Sequence, residues 1–126
     1  MKILVIEDQP IELKLAHHVL DAAGHNVSGI AAAEQAFASI KADRPQIILV
    51  DMSLPGMDGL TLVRKLRADP DTRDIHIVAI TSFPERFTRT QALQAGCDGY
   101  LLKPVSTRTL PQELSDVVAK GARERS

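Results

Sequence analysis

Hydrophobic residues along the chain fall into two alternating patterns. Ile3-Leu4-Val5-Ile6, Ile47-Ile48-Leu49-Val50 and Ile77-Val78-Ala79-Ile80 are short, rich in β-branched residues and apolar without interruption. Runs of this kind read as strands buried on both faces, which parallel sheets covered by helices require. Residues 25–30 and 98–102 carry weaker versions of the signal, which suits sheet edges. Between the runs lie amphipathic stretches. Leu13, Ala16, Leu20 and Ala23 share one helical face, with Gly24 as a C-terminal stop. Residues 33–42 repeat the pattern around Ala36, Phe37 and Ile40, and Leu60, Val63 and Leu66 mark a third helix ending before Asp69-Pro70. Pro84 suits the first turn of a fourth helix that Ala92 and Leu93 carry to Gly96. Leu110, Leu114 and Val117 mark a fifth.

Strands that alternate with helices imply βαβ units, right-handed crossovers and helices on both faces of a parallel sheet. The expected class is α/β, doubly wound. A length of 126 residues suits one domain, placed at residues 1–120 with a polar tail at 121–126. The charge balance narrows the class further. Fifteen Lys and Arg against sixteen Asp and Glu leave no positive surplus to displace phosphate counterions, so non-specific nucleic-acid binding is not expected. Apolar runs of four residues are too short for a membrane span or a signal peptide. The single cysteine, Cys97, has no disulfide partner within the chain, and a reducing, cytoplasmic location is the simpler reading.

In a doubly wound sheet, ligands bind beyond the carboxyl ends of the strands. Glu7 and Asp8 follow the first apolar run, Asp51 the third, Thr81 and Ser82 the fourth, and Lys103-Pro104 the fifth. If the first and third strands are neighbours, Glu7, Asp8 and Asp51 converge. Two like charges 4 Å apart repel by about 4 kcal/mol at an effective dielectric near 20. A hard divalent cation offsets that repulsion well, and Mg²⁺ takes carboxylate and carbonyl oxygens.

The stretch Asp51-Met52-Ser53-Leu54-Pro55-Gly56-Met57-Asp58-Gly59 resembles the phosphoacceptor loop of response-regulator receiver domains. Glu7-Asp8 is similar to that family's acidic pair, Thr81 to its switch hydroxyl, Tyr100 to its switch aromatic, and Lys103-Pro104 to its Lys-Pro pair. The resemblance implies a flavodoxin-like (βα)5 fold of strand order 2-1-3-4-5 and a cis Lys103-Pro104 bond. Asp51 would take a phosphoryl group from a histidine kinase or a histidine phosphotransfer protein. Asp8 and Asp51 would bind Mg²⁺ directly, Glu7 through water, and Ser53 through its main-chain carbonyl. Lys103 and Thr81 would contact the phosphoryl oxygens. The implied role is a free-standing signalling domain, not an enzyme beyond its own phosphorylation and dephosphorylation, which binds a downstream protein when phosphorylated. Glu7 stands where many relatives carry Asp, Ser82 where many carry Ala, and Ser53 and Phe83 flank the acceptor.

A haloacid-dehalogenase-type phosphohydrolase would need a second Asp at position 53, where Ser53 stands. A flavin or nucleotide binder would need a Gly-rich loop in place of Glu7-Asp8-Gln9-Pro10. A receiver that docks constitutively, without phosphorylation, is the remaining rival.

Other signals read more plainly. His17, His18, His25 and His76 are taken as surface residues, Asp69-Pro70-Asp71 as a turn and Cys97 as a packed side chain. Phe83 and Phe87 stand i, i+4 on the expected fourth helix, where at least one of them should pack in the core, and Phe87 is a candidate partner contact beside Arg86 and Arg89. Ile11, Leu15 and Val19 form a second stripe on the first helix. Ile11 and Leu15 are candidates for docking the phosphodonor's helical bundle, and Val19 for packing at the core edge.

Overall fold

The three uninterrupted apolar runs occupy the centre of a five-stranded parallel sheet of order β2-β1-β3-β4-β5. A computed structural model of the chain describes residues 1–125, with side chains through residue 121. The elements follow one another as β1 (Lys2–Ile6), α1 (Pro10–Ala22), β2 (Asn26–Ile30), a 3₁₀ turn (Ala33–Gln35), α2 (Ala36–Ala42), β3 (Ile47–Asp51), α3 (Gly59–Ala68), β4 (His76–Thr81), α4 (Arg89–Ala95), β5 (Gly99–Leu102) and α5 (Leu110–Arg125). Successive strand side chains point to opposite faces, so each central strand feeds two cores. Ile3, Val5, Ile47, Leu49, Val78 and Ile80 pack with Ala16 and Leu20 of α1 and Leu110 and Leu114 of α5. Leu4, Ile6, Ile48, Val50, Ile77 and Ala79 pack with α2, α3 and α4, where Leu62, Val63 and Leu66 are fully buried.

Several helix expectations need correction. Residues 84–87 form turns, and α4 begins only at Arg89, because Thr88 caps it. The Thr88 hydroxyl accepts from the Gln91 amide at 3.1 Å, while the Gln91 side chain accepts from the Thr88 amide at 3.0 Å. This reciprocal pair satisfies donors that a Pro84 start would have left to the helix interior. Gly96 ends α4 in the left-handed region at φ 119°, as its place in the sequence suggests. Phe83 and Phe87 therefore lie ahead of the helix. Phe87 is 4% exposed and packs in the core, so it is not a surface contact. The Arg86 guanidinium lies 5.1 Å from the centre of its ring. Phe37 and Leu93 turn outward instead of into the core, and Ala23 is an exposed cap residue. His76 is a buried member of β4, not a surface residue. Of the expected tail, residues 121–125 continue α5, and Ser126 lies outside the described residues.

Candidate functional site

The strand register brings the polar residues after β1, β3, β4 and β5 to one end of the sheet. Ile6 pairs with Val50, Asp51 with Ile80, and Thr81 with Leu102. Main-chain bonds then carry the ladder one step past the strands. The Lys103 amide donates to Thr81 at 2.9 Å, Met52 to Ile80 at 2.9 Å, and Glu7 to Ile30 at 3.0 Å. The side chains of Glu7, Asp51 and Lys103 thereby share one mouth, while Met52 alternates into the core.

Glu7, Asp8 and Asp51 each present a carboxylate oxygen there, all within 4.8 Å of one another. Glu7 and Asp51 are buried and Asp8 is half-buried. Three hard oxygen donors at this spacing fit a small divalent cation such as Mg²⁺. The Lys103 ammonium reaches the same group from the residue that follows β5, and the Lys103-Pro104 bond is cis. It donates to Glu7, to Glu12 at 2.7 Å and to Asp51 Oδ2 at 3.2 Å.

The opposite oxygen of Asp51 is held by its own loop. Oδ1 accepts from both the amide and the hydroxyl of Ser53, each at 3.1 Å. Gly59, at the start of α3, lets this loop fold back tightly. A Cβ on Gly59 would lie 2.6 Å from the Asp51 carbonyl oxygen and 2.8 Å from the Met52 Cα, both fixed backbone atoms.

Titration reflects the crowding. Burial pushes the Glu7 carboxyl up to about 8, and the neighbouring Glu12 and Asp51 push the same way against the pull of Lys103. Glu12 is held below its ordinary value, chiefly by its hydrogen bond from Lys103. For Lys103, burial lowers the pKa, yet the bonds to Glu12 and Glu7 and the charge of Asp51 outweigh it and raise the net value.

Thr81 is fully buried, and its hydroxyl accepts from the Phe83 amide at 2.9 Å. Tyr100 is half-buried, and its hydroxyl donates to the Phe87 carbonyl. On α1, Ile11 is 82% exposed and Leu15 45%, whereas Val19 is half-buried at the core edge.

The structure thus assembles Glu7, Asp8, Asp51 and Lys103 at one mouth and leaves Phe87 in the core. Sequence reasoning missed Glu12, because an acidic residue in a helix's first turn ordinarily just complements the helix dipole. It treated Gly59 only as part of a motif, since the close approach it permits depends on the return path of the loop.

Comparison with known proteins agrees with this geometry. Residues 3–115 match the response regulator receiver domain model. The chain is 40% identical over 104 residues to the response regulator PleD of Caulobacter vibrioides, covering 82% of this chain but 23% of PleD. It is 29% identical to the polar-differentiation response regulator DivK of Brucella anthropi, covering 82% of this chain and 85% of DivK. It superposes with a TM-score of 0.84 on the receiver domain of the sensor histidine kinase PA1611 of Pseudomonas aeruginosa PAO1, at 32% identity, covering 94% of this chain and 97% of that one. That domain was solved with a magnesium ion coordinated in its active-site cleft. With its strand order, its acidic mouth and its lysine, the chain belongs to the response regulator receiver domain family of two-component signalling.

Proposed function

We propose that Asp51 accepts a phosphoryl group from the phosphohistidine of a histidine kinase or histidine phosphotransfer protein, and that the resulting acyl phosphate switches contacts with a downstream protein. The observation that supports this most is the meeting of Asp51 and Lys103 at 3.2 Å, beside two further carboxylates, at the carboxyl end of the central strands. Asp8 and Asp51 would hold Mg²⁺ directly, Glu7 through a water, with the Ser53 carbonyl joining them. Mg²⁺, when bound, neutralises charge on the transferred phosphoryl oxygens.

The remaining work falls to the chain itself. The Ser53 amide and hydroxyl fix one Asp51 oxygen, which orients the carboxylate toward the donor. A bond forms from an Asp51 oxygen to phosphorus as the donor's P–N bond breaks, and the electron pair leaves with the imidazole nitrogen. Lys103 supplies a positive charge to the phosphoryl oxygens. The Thr81 hydroxyl, now on the Phe83 amide, turns to donate to a phosphoryl oxygen. Space vacated by Thr81 lets Tyr100 exchange its Phe87 carbonyl for another position, which alters the surface of α4, β5 and α5. A hydrogen bond to a charged group, worth about 1.5–3 kcal/mol, is enough to shift two states of similar energy.

Ile11 and Leu15 would dock the phosphodonor on α1. The partners are proteins, not nucleic acid, and the setting is the cytoplasm. Among the described residues no helix is long and apolar enough to cross a membrane.

Incubation with acetyl phosphate and Mg²⁺, followed by intact-mass measurement, tests the reading. Wild type should gain one phosphoryl group and Asp51→Asn none. An equal yield in Asp51→Asn would exclude Asp51 as the acceptor. No gain in wild type would favour a constitutive docking module.

A further inference from the structure

A primary ammonium has three N–H donors, and Lys103 has committed all of them, to Glu7, Glu12 and Asp51. A phosphoryl group arriving on Asp51 can take over the bond that Lys103 makes to Asp51, but a second phosphoryl contact requires the release of Glu7 or Glu12. Glu7 is 5% exposed, so its oxygen would lose a hydrogen-bond partner where little water can replace it, which is costly with or without a proton. Glu12 differs. Its side chain is 48% exposed, so water can replace the ammonium at its oxygen. It also stands outside the cluster formed by Glu7, Asp8 and Asp51, so it is free of any duty to a cation there.

We propose that Glu12 is a positioning residue that holds Lys103 back in the unphosphorylated protein and yields it to the phosphoryl oxygens. Glu12 thereby sets how readily Asp51 is phosphorylated and how firmly the phosphorylated state is held. The inference rests on Asp51 being the acceptor, and it deepens that reading. It also ties the site to α1: when Lys103 leaves, Glu12 faces solvent next to Ile11 and Leu15, so the charge on that face changes with phosphorylation.

The test compares wild type, Glu12→Ala and Glu12→Asp in full chains. Three quantities are read: the initial rate of phosphorylation by acetyl phosphate with Mg²⁺, the affinity for beryllofluoride, a phosphoryl mimic, followed by ¹⁹F NMR, and the Mg²⁺ affinity from the rise in Tm; the first two carry the expected change. Glu12→Ala should raise both by roughly two- to fivefold, the worth of one partly exposed ion pair. Glu12→Asp keeps the charge but loses a methylene of reach, and it should behave like Glu12→Ala. Values equal to wild type in Glu12→Ala would overturn the proposal. So would wild-type values in Glu12→Asp, which would mean that charge alone, not the hold on Lys103, sets the rate. A fall in Mg²⁺ affinity confined to Glu12→Ala would make Glu12 a metal ligand and overturn it too. These failures are separable from failure of the Asp51 reading, in which wild type itself takes no phosphoryl group or Asp51→Asn takes as much.

Discussion

The two ends of the sheet each hold a half-buried basic side chain among acidic and polar groups, and they use it in opposite ways. At the amino end of β4 and β5, Arg67 donates to the carbonyls of Gly96 at 2.9 Å, Arg73 at 2.8 Å and Ile75 at 2.5 Å, and to Asp98 at 3.0 Å. Asp98 accepts in turn from the Ile77 amide at 2.9 Å. One cation there meets one carboxylate and three fixed main-chain oxygens. At the carboxyl end, Lys103 faces Glu7, Glu12 and Asp51, with Asp8 adjacent. A balanced cluster bolts loops together. An unbalanced one, with a carboxyl pushed up to about 8, holds charge that a cation or a phosphoryl group can redistribute, and such imbalance is the mark of chemistry.

Removing the central group at each end should separate the two roles most sharply. Asp51→Asn should abolish phosphorylation and leave thermal stability at or above that of wild type, because one of the crowded charges is gone. Arg67→Ala should do the reverse. It strands three carbonyls and a carboxylate and should cost about 3 kcal/mol in urea unfolding, while the folded fraction is still phosphorylated. A stable Arg67→Ala variant would remove the contrast.

Mg²⁺ provides the next largest effect. Saturation to about a hundred times Kd should stabilise the protein by about 2.7 kcal/mol, read as a rise in Tm, and Asp8→Asn should erase that rise. Arg67→Lys should not.

Acidity offers a smaller one. In metal-free protein Glu7 keeps its proton to about pH 8, whereas the unfolded chain releases it near 4.5. The folded state therefore binds more protons between these limits, and stability should fall as pH rises from about 4.5 to 8. Melts in a chelator should show the slope in wild type, and Glu7→Gln should flatten it.

The smallest effect lies at the amino end. Burial pushes the Cys97 thiol up to about 12, with Arg67 pulling it down and Asp98 pushing it up. Its alkylation by iodoacetamide at neutral pH should be far slower than in denatured protein. Rapid alkylation would mean that this end opens.

The same contrast explains what was legible in the sequence. The central strands announce themselves, since Ile47-Ile48-Leu49-Val50 has no polar face to offer solvent. Glu7, Asp8, Asp51 and Lys103 are legible because each directly follows or ends an apolar run, and parallel register sends all such positions to one end. Pro84 misled, because a proline at the first turn of a helix also suits a plain turn, and the Thr88–Gln91 cap decided between them. Phe37 faces outward because helical spacing fixes which residues share a face but not which face the sheet covers, whereas Phe87 enters the core from the turn ahead of α4, where helical spacing does not apply. Glu12 and the Arg67 cluster depend on contacts across 91 and 31 residues, and nothing local records them.

The decisive measurement is chemical trapping of the acyl phosphate. Protein treated with acetyl phosphate and Mg²⁺ is reduced with borohydride, which converts an aspartyl phosphate to homoserine, and the modified residue is located by peptide mass. Homoserine should appear at position 51 alone and only when the phosphodonor was present. Homoserine at Asp8 or Asp58 with none at Asp51, or phosphorylated protein that yields no homoserine, would contradict the assignment of Asp51 as the acceptor.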